Sequence, residues 1–162
     1  KAVIKPAVSA GSYLTELFRH DEVHEIDTKY KDIRKNNDLI IQKYIDEITT
    51  QGEISLVFFD KKFSHAVVKT PKSGDFRIQS QFGGIYKPYQ PDKELIESCI
   101  KIFGSVKEDL LYARVDGIMI DDVFHLMELE LIEPDLYMDY LADGHQRFAD
   151  EVARFIYKHM TK

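Results

Sequence analysis

Short runs of apolar residues, several of them alternating with polar ones, divide much of the chain into predicted β-strands. β-Branched and aromatic residues dominate these runs, and such residues favour strands. The predicted strands are Ala2 to Lys5, Leu39 to Ile45, Glu53 to Phe59, Phe63 to Thr70, Phe76 to Ser80, Leu110 to Ile120 and Val123 to Leu131.

Three other segments repeat their apolar residues at helical spacing. They run from about Asp27 to Asn36, from Asp92 to Phe103 and from Asp143 to His159. Asp92 follows a proline and is a predicted N-cap. Strand pairs mixed with separate helices predict an α+β fold with mainly antiparallel sheets.

Composition narrows the classes of partner. The chain has 162 residues, 44% of them apolar, which is enough for one domain of ordinary size. A net charge of -6 and the lack of any basic run argue against a nucleic-acid partner or a membrane surface. Any anionic ligand must therefore be held by a few local cations.

The ends and the cysteine content indicate a piece of a longer cytoplasmic protein. The chain opens with KAVIKPAV, which lacks an initiator Met and reads as a strand, so we expect an N-terminal domain to be missing. A single cysteine, Cys99, cannot form an internal disulfide, and no apolar stretch is long enough for a signal peptide or a membrane span.

The stretch YARVDGIMIDDVFHLMELELIEP, residues 112 to 134, reads as a hairpin that carries carboxylates. If an odd connection of about three residues is centred on Asp122, Asp116 lies opposite Glu128, and Arg114 opposite Glu130. A two-residue turn would put Arg114 and Asp116 on the opposite face from Glu128 and Glu130, because a one-residue slip flips every side chain. We predict the odd register.

Three carboxylates beside one guanidinium would repel one another unless a cation joined them. A hard divalent ion suits oxygen ligands, and Mg²⁺ commonly adds phosphate oxygens to a few carboxylates, which points to a bound nucleotide. The residues alone leave another reading open, in which Glu128 and Glu130 are the solvated face of an edge hairpin.

Five motifs in a fixed order resemble the ATP-grasp superfamily, in particular its glutathione-synthetase-like members and the ATP-grasp ligase of the D-cycloserine pathway. They are the IKP strand, QKYIDEI with GEISLVFF, KTPKSGDFRIQSQFGG, YARVDG and MELELIEP. The resemblance covers nearly the whole chain. It implies an ATP-grasp domain over residues 1–162, with two mainly antiparallel sheets and flanking helices that clamp a nucleotide.

The resemblance implies a role for each matching residue. The residues that match phosphate-binding positions are Lys5, Lys69 and the loop Ser9, Ala10, Gly11 and Ser12. Gln42, Tyr44 and Ile45 match the hinge that binds adenine, and Met127 matches an apolar residue that packs against the base. Glu53 matches the residue that accepts hydrogen bonds from the ribose hydroxyls. Arg77, Gly83 and Gly84 match substrate positions, Asp116, Glu128 and Glu130 match the magnesium ligands, and Arg114 matches the residue that steadies transferred phosphate. Many relatives have Asn at the position of Glu130, and Gln79 replaces the usual Asn two residues after Arg77.

The implied reaction joins a small-molecule carboxylate to an amine through an acyl phosphate, with ATP and Mg²⁺, or Mn²⁺, as cofactors. Lys5, Arg77 and Arg114 would be the catalytic cations. A phosphotransferase, a carboxylate-thiol ligase and a catalytically silent nucleotide-binding module stay open, because the motifs specify ATP and metal but not the nucleophile. Relatives are often dimers, so a homodimer is one implied assembly.

Overall fold

The structure, a computed structural model, describes residues 1–9 and 11–160. Contacts between Cα atoms divide the chain after Asp46 into two compact units. Within the described ranges, no helix has both the length and the apolar character needed to cross a membrane.

The first unit is a three-stranded antiparallel sheet with one α-helix. Strand β1 (Ala2–Pro6) lies in the middle, between β2 (Glu16–Phe18) and β3 (Leu39–Lys43). Helix α1 (Val23–Tyr30) follows a 3-10 turn. The core of this unit consists of Ile4, Phe18, Ile26 and Tyr30. The helix predicted from Asp27 to Asn36 is therefore misplaced: it begins four residues earlier and ends at Tyr30, and Ile33–Lys35 forms a separate 3-10 turn.

The second unit is built on a five-stranded antiparallel sheet in the order β6-β5-β4-β7-β8. Its elements, in chain order, are α2 (Glu47–Thr50), β4 (Glu53–Phe59), β5 (Lys62–Thr70), β6 (Ile85–Tyr89), α3 (Lys93–Ile102), β7 (Tyr112–Ile120), β8 (Val123–Glu130) and α4 (Gly144–Met160). Both units fit the predicted α+β class with antiparallel sheets.

One face of the five-stranded sheet is apolar and packs against α3. Alternate residues of β4, namely Ile54, Leu56 and Phe58, point to this face and meet Leu95 and Cys99 of α3. The Asp92 side chain accepts a hydrogen bond from the Leu95 backbone N at 2.7 Å, so the predicted N-cap is confirmed. Burial raises the pKa of the Cys99 thiol to about 12, which makes this cysteine an inert core residue.

The other face of the sheet is divided between an apolar half and a charged half. Val57, Phe59 and Val67 pack with Phe148 of α4 and with Leu136, in the segment that follows β8. The rest of this face carries ionisable side chains. The fold therefore buries both faces of the central strands but leaves one end of one face polar.

The observed strands differ from the predicted ones in two ways. The segment predicted as a strand from Phe76 to Ser80 is irregular and ends in the 3-10 turn Ser80–Phe82. Asp75 accounts for this, because its carboxylate accepts hydrogen bonds from the backbone N atoms of Phe76 and Arg77. The short edge strands β2 and β6 were not predicted.

The β7–β8 hairpin has the predicted pairing but a different connection. Asp116 lies opposite Glu128 and Arg114 opposite Glu130, as predicted. The connection is a two-residue turn, Asp121 and Asp122, both at positive φ, and not the odd connection of about three residues. A β-bulge between Asp116 and Gly117 leaves Met127 as an extra residue on β8, and this bulge restores the odd register.

Candidate functional site

The register of the sheet aligns polar side chains in neighbouring rows on one face. One row joins Lys69 of β5 to Glu53 of β4. The next joins Ser55 of β4, Asp116 of β7 and Glu128 of β8, and the third brings Arg114 opposite Glu130. We refer to the six ionisable residues of these rows as the charged cluster: Glu53, Lys69, Arg114, Asp116, Glu128 and Glu130.

Asp116 lies at the centre of the charged cluster and is only 1% exposed. Its carboxylate accepts a hydrogen bond from Ser55 Oγ at 2.5 Å and three from the Arg114 guanidinium at 2.8–3.0 Å. Lys69 Nζ lies 3.8 Å from the same carboxylate. Burial of this charge is therefore offset by two cations and a hydroxyl.

Arg114 uses every part of its guanidinium. Nε and Nη2 bind Asp116, Nη2 also donates to Glu130 Oε1, and Nη1 donates to the backbone O of Asp135 at 3.0 Å. Burial alone would lower the pKa of Arg114, but the hydrogen bond and charge of Asp116 outweigh it and raise the pKa. Arg114 is therefore a fixed cation in contact with two of the three candidate metal ligands.

Lys69 and Glu53 form a second buried pair. Their charged atoms are 2.6 Å apart, and the side chains are 5% and 12% exposed. Burial would lower the pKa of Lys69, but the charges of Glu53 and Asp116 exceed that effect and raise it, so the ammonium is retained. Glu53, predicted to meet ribose hydroxyls, contacts this ammonium here.

Three carboxylates of the charged cluster could hold a metal ion. One oxygen each from Asp116, Glu128 and Glu130 lies within 4.8 Å of the other two. Hard divalent cations take carboxylate oxygens as ligands, so the chemistry of this donor set suits Mg²⁺ or Mn²⁺. Burial raises the pKa of Glu130, with Arg114 opposing the shift.

Three contributors to this site have weak or no signals in the sequence. Ser55 is the one polar residue of the run ISLVFF and shares a strand face with Glu53, which was a usable signal. Asp135 and Tyr137 lie beyond β8 and reach Arg114 through an irregular segment. Nothing in the local pattern indicated that this segment returns to the sheet.

The other predicted residues of the second unit lie outside the charged cluster. Arg77 pairs with Asp75 at 2.8 Å, and its guanidinium lies 3.8 Å from the centre of the Phe82 ring. Gly83, at φ 84°, ends the 3-10 turn, and a Cβ on Gly84 would lie 1.9 Å from the backbone O of Ile78. Their substrate roles stay predictions.

Met127 is the bulged residue of β8 and is half-buried. The bulge accounts for its place in the hairpin without reference to a ligand. Its predicted contact with an adenine base therefore stays a prediction.

The first unit holds the remaining predicted residues, and their nucleotide roles stay predictions. Lys5 lies on β1, and Gln42 lies on β3 opposite Val3. Tyr44 is buried, with Lys1 Nζ 5.4 Å from its ring centre, and Ile45 follows it. In the predicted phosphate loop Gly11 and Ser12 both have φ 60°, while Ala10 lies outside the described residues.

A cavity of about 470 Å³ opens in the first unit beside α1. Apolar side chains such as Ile4, Phe18 and Ile26 line most of it, with Arg19 and Arg34 among the charged residues. None of the predicted site residues of the described first unit lines this cavity. It is therefore separate from the predicted nucleotide contacts.

Comparison with known proteins gives a consistent result. A family model described as the RimK-like ATP-grasp domain matches residues 9–138. The cycloserine biosynthesis protein DcsG of Streptomyces lavendulae is 27% identical in an alignment of 124 residues that covers 71% of this chain and 41% of that protein.

Two solved structures share the fold. The crystal structure of D-cycloserine synthetase DcsG is matched over 94% of this chain and 55% of that chain, with a TM-score of 0.77 and 22% identity. A D-alanine–D-alanine ligase from Bacillus anthracis is matched over 94% of this chain and 53% of that chain, with a TM-score of 0.67 and 18% identity. The chain thus spans about half the length of these relatives.

Proposed function

Because the chain belongs to the RimK-like ATP-grasp family, we propose that it is part of an ATP- and Mg²⁺-dependent ligase that joins a carboxylate to an amine. The observation that carries the proposal is the charged cluster. When all six groups are ionised, its four carboxylates exceed its two cations by two negative charges. One divalent cation would balance this excess, whereas a purely structural ion-pair network gains nothing from it.

In this proposal Asp116, Glu128 and Glu130 hold the metal ion. When bound, Mg²⁺ supplies a Lewis acid that offsets charge on the phosphate oxygens of ATP. Ser55 and Lys69 hold Asp116 in place, through the hydrogen bond and the ion pair described above. Mn²⁺ is the alternative ion, because the donor set is the same.

The chemistry consists of two displacements. An oxygen of the substrate carboxylate forms a bond to the γ-phosphorus of ATP, the bond to the β-phosphate bridging oxygen breaks, and ADP leaves. The amine nitrogen then attacks the acyl carbon, phosphate leaves with the bonding electrons, and the ammonium proton is lost to solvent. Arg114 and Lys69 offset the charge of the transferred phosphoryl group, so the chain needs to position groups but needs no side-chain nucleophile.

Several parts of the proposal rest on the family and on the sequence. These are the adenine and phosphate contacts of the first unit, the substrate roles of Arg77, Gly83 and Gly84, the homodimer and a cytoplasmic location. Relatives are about twice as long as this chain, so the activity is proposed for the full-length protein.

Trapping of the acyl phosphate tests the proposal. The full-length protein is incubated with ATP, Mg²⁺, panels of small carboxylates and hydroxylamine, which converts an acyl phosphate into a hydroxamate. We expect a hydroxamate, with ADP and inorganic phosphate in equal amounts, from at least one carboxylate. Omission of Mg²⁺ or of ATP is the control and should abolish the product.

The same assay separates the other functions. A stable phosphorylated product without free phosphate would indicate a phosphotransferase. A hydroxamate together with acylation of thiols but not of amines would indicate a carboxylate-thiol ligase. Binding of a non-hydrolysable ATP analogue without any product would favour the silent nucleotide-binding module.

A further inference from the structure

The segment that follows β8 contains a residue in a conformation that side chains rarely adopt. Tyr137 has φ 48° and ψ 38°, in the left-handed region, where a residue with a side chain is strained. Its backbone N donates to the Asp135 carboxylate at 2.9 Å, and the carbonyl of Leu136 accepts from His65 Nε2 at 2.8 Å. The surrounding structure therefore holds this turn in place from both sides.

The turn directs the Tyr137 ring at both cations of the charged cluster. The ring centre lies 5.3 Å from the guanidinium carbon of Arg114 and 5.8 Å from Lys69 Nζ. Tyr137 is 7% exposed, and at such buried sites a cation over an aromatic face gains more than at the surface. Among the described residues it is the ring that lies within 6 Å of both cations.

The contacts of Arg114 fall into two groups. One group goes to Asp116 and Glu130, which are candidate metal ligands, so Arg114 and a metal ion would compete for the same oxygens. The other group, the hydrogen bond to the backbone O of Asp135 and the Tyr137 ring, involves no metal-binding carboxylate. Only this second group can position Arg114 independently of what the carboxylates bind.

We propose that Tyr137 is a positioning residue: its ring holds Arg114 and Lys69 as a pair of cations that faces the phosphates of the nucleotide. This inference rests on the proposed function and extends it to a residue outside the metal-binding hairpin. The electron-rich face of the ring would carry the effect, and the hydroxyl would not be required.

Ring fluorination in the full-length protein tests the proposal. Tyr137→Phe is compared with phenylalanine that carries one, two or three ring fluorines at position 137, a series that removes the negative ring face at nearly constant shape. Calorimetry then measures the affinity for adenylyl imidodiphosphate with Mg²⁺, and for adenosine, which has no phosphate. Tyr86 receives the same series as the matched control, because it packs edge-on against Tyr137 at 5.5 Å while the two cations lie over Tyr137.

We expect Tyr137→Phe to bind the analogue about as well as the wild type. Successive fluorines should then weaken analogue binding by roughly 2- to 30-fold in total. Adenosine affinity should stay constant, because adenosine has no phosphate for the cations to meet. The Tyr86 series should also stay constant: Tyr86 is the cross-strand neighbour of Lys69, but the ring that lies over the two cations is that of Tyr137.

Four results would overturn the positioning role. They are an unchanged affinity along the fluorine series, a full loss already in Tyr137→Phe, an equal loss of adenosine affinity, and an equal loss in the Tyr86 series. A wild-type protein that does not bind the analogue in Mg²⁺ would refute the proposed function itself, and the positioning role with it. The wild-type titration therefore distinguishes the two failures.

Discussion

The two hairpins β4–β5 and β7–β8 share one plan and differ in what they bury. Each has a two-residue turn with both residues at positive φ, Asp60 and Lys61 in the first and Asp121 and Asp122 in the second. Each also contains one β-bulge. The first hairpin lies inside the sheet between β6 and β7, whereas β8 of the second is an edge strand.

Because of this difference in position, the buried charges and the solvent-accessible charges of the site lie on different hairpins. The first hairpin holds Lys69 and Glu53 almost completely buried. The second runs from the buried Asp116 to the half-buried Glu130 and the exposed Glu128. The β4–β5 hairpin, the inner hairpin, thus supplies a buried ion pair. The β7–β8 hairpin, the edge hairpin, supplies carboxylates that solvent and ligands can reach.

The largest effect is expected when the inner hairpin loses its cation. Lys69→Met would leave two carboxylates, Glu53 and Asp116, without a neighbouring ammonium in a buried site. We expect a loss of about 3–5 kcal/mol in the free energy of unfolding, measured by urea denaturation.

Lys62→Met is the control for Lys69→Met, because Lys62 lies on the same strand with an 82% exposed side chain. We expect little change from it. The double variant Glu53→Gln with Lys69→Met should recover part of the lost stability. Equal stability of Lys69→Met and Lys62→Met would contradict the division between the hairpins.

The edge hairpin should determine activity more than stability. Glu128→Gln should lower Mg²⁺-dependent turnover by about 100-fold or more, because it removes a proposed metal ligand. Its unfolding free energy should stay close to that of the wild type, since Glu128 is exposed. Asp116→Asn should lose both turnover and stability, because the Asp116 carboxylate neutralises Arg114 and Lys69.

Hydroxamate formation and urea denaturation of the same preparations measure these two effects. An active Glu128→Gln protein would remove Glu128 from the metal site. A stable Asp116→Asn protein would contradict the structural role of that carboxylate.

A smaller effect should follow when the bulge of the edge hairpin is disturbed. A Cβ on Gly117 would lie 2.2 Å from the Phe124 ring and 2.6 Å from the backbone O of His125. Gly117→Ala should therefore cost about 1–3 kcal/mol of unfolding free energy, as overpacking does. Gly104→Ala is the matched control, because no atom lies within 4 Å of a Cβ there. If both variants unfold alike, the close approach at Gly117 does not constrain the bulge.

The hairpins also show how far the sequence could predict this site. Alternation along β7 and β8 identified the strands, and the pairing of Asp116 with Glu128 was predicted correctly. The predicted connection was wrong, because a bulge and a two-residue turn together give the register expected from an odd connection. A bulge shifts the alternation of faces by one residue, but Leu126 and Met127 at the shift are both apolar, so the sequence pattern does not reveal where it lies.

The contacts beyond β8 illustrate a second limit. The Asp135 carbonyl and the Tyr137 ring reach Arg114 from 21 and 23 positions along the chain, and no regular element connects them to the sheet. Tertiary packing decides where such a segment lies. The unpredicted Ser55 is different, because its strand and its face followed from alternation, and only its partner Asp116 required the register of β4 and β7.

The smallest expected effect concerns His65, whose imidazole on β5 joins the inner hairpin to the segment after β8. Burial lowers the pKa of His65, although its hydrogen bond to the Leu136 carbonyl opposes the shift. The unfolded chain therefore binds this proton at a higher pH than the folded chain. The contribution to stability is full above about pH 6.5, the ordinary value for histidine, and is lost as the pH falls through the lower folded pKa.

His65→Gln keeps an amide donor near the position of Nε2 and removes the titration. Between pH 7.5 and 5, we expect the unfolding free energy of the wild type to fall more steeply than that of His65→Gln. Urea denaturation at several pH values measures this difference. Parallel pH profiles would show that His65 titrates alike in both states. A steeper fall in His65→Gln would mean that the folded chain favours the protonated ring, which would contradict the burial of this contact as the cause of the shift.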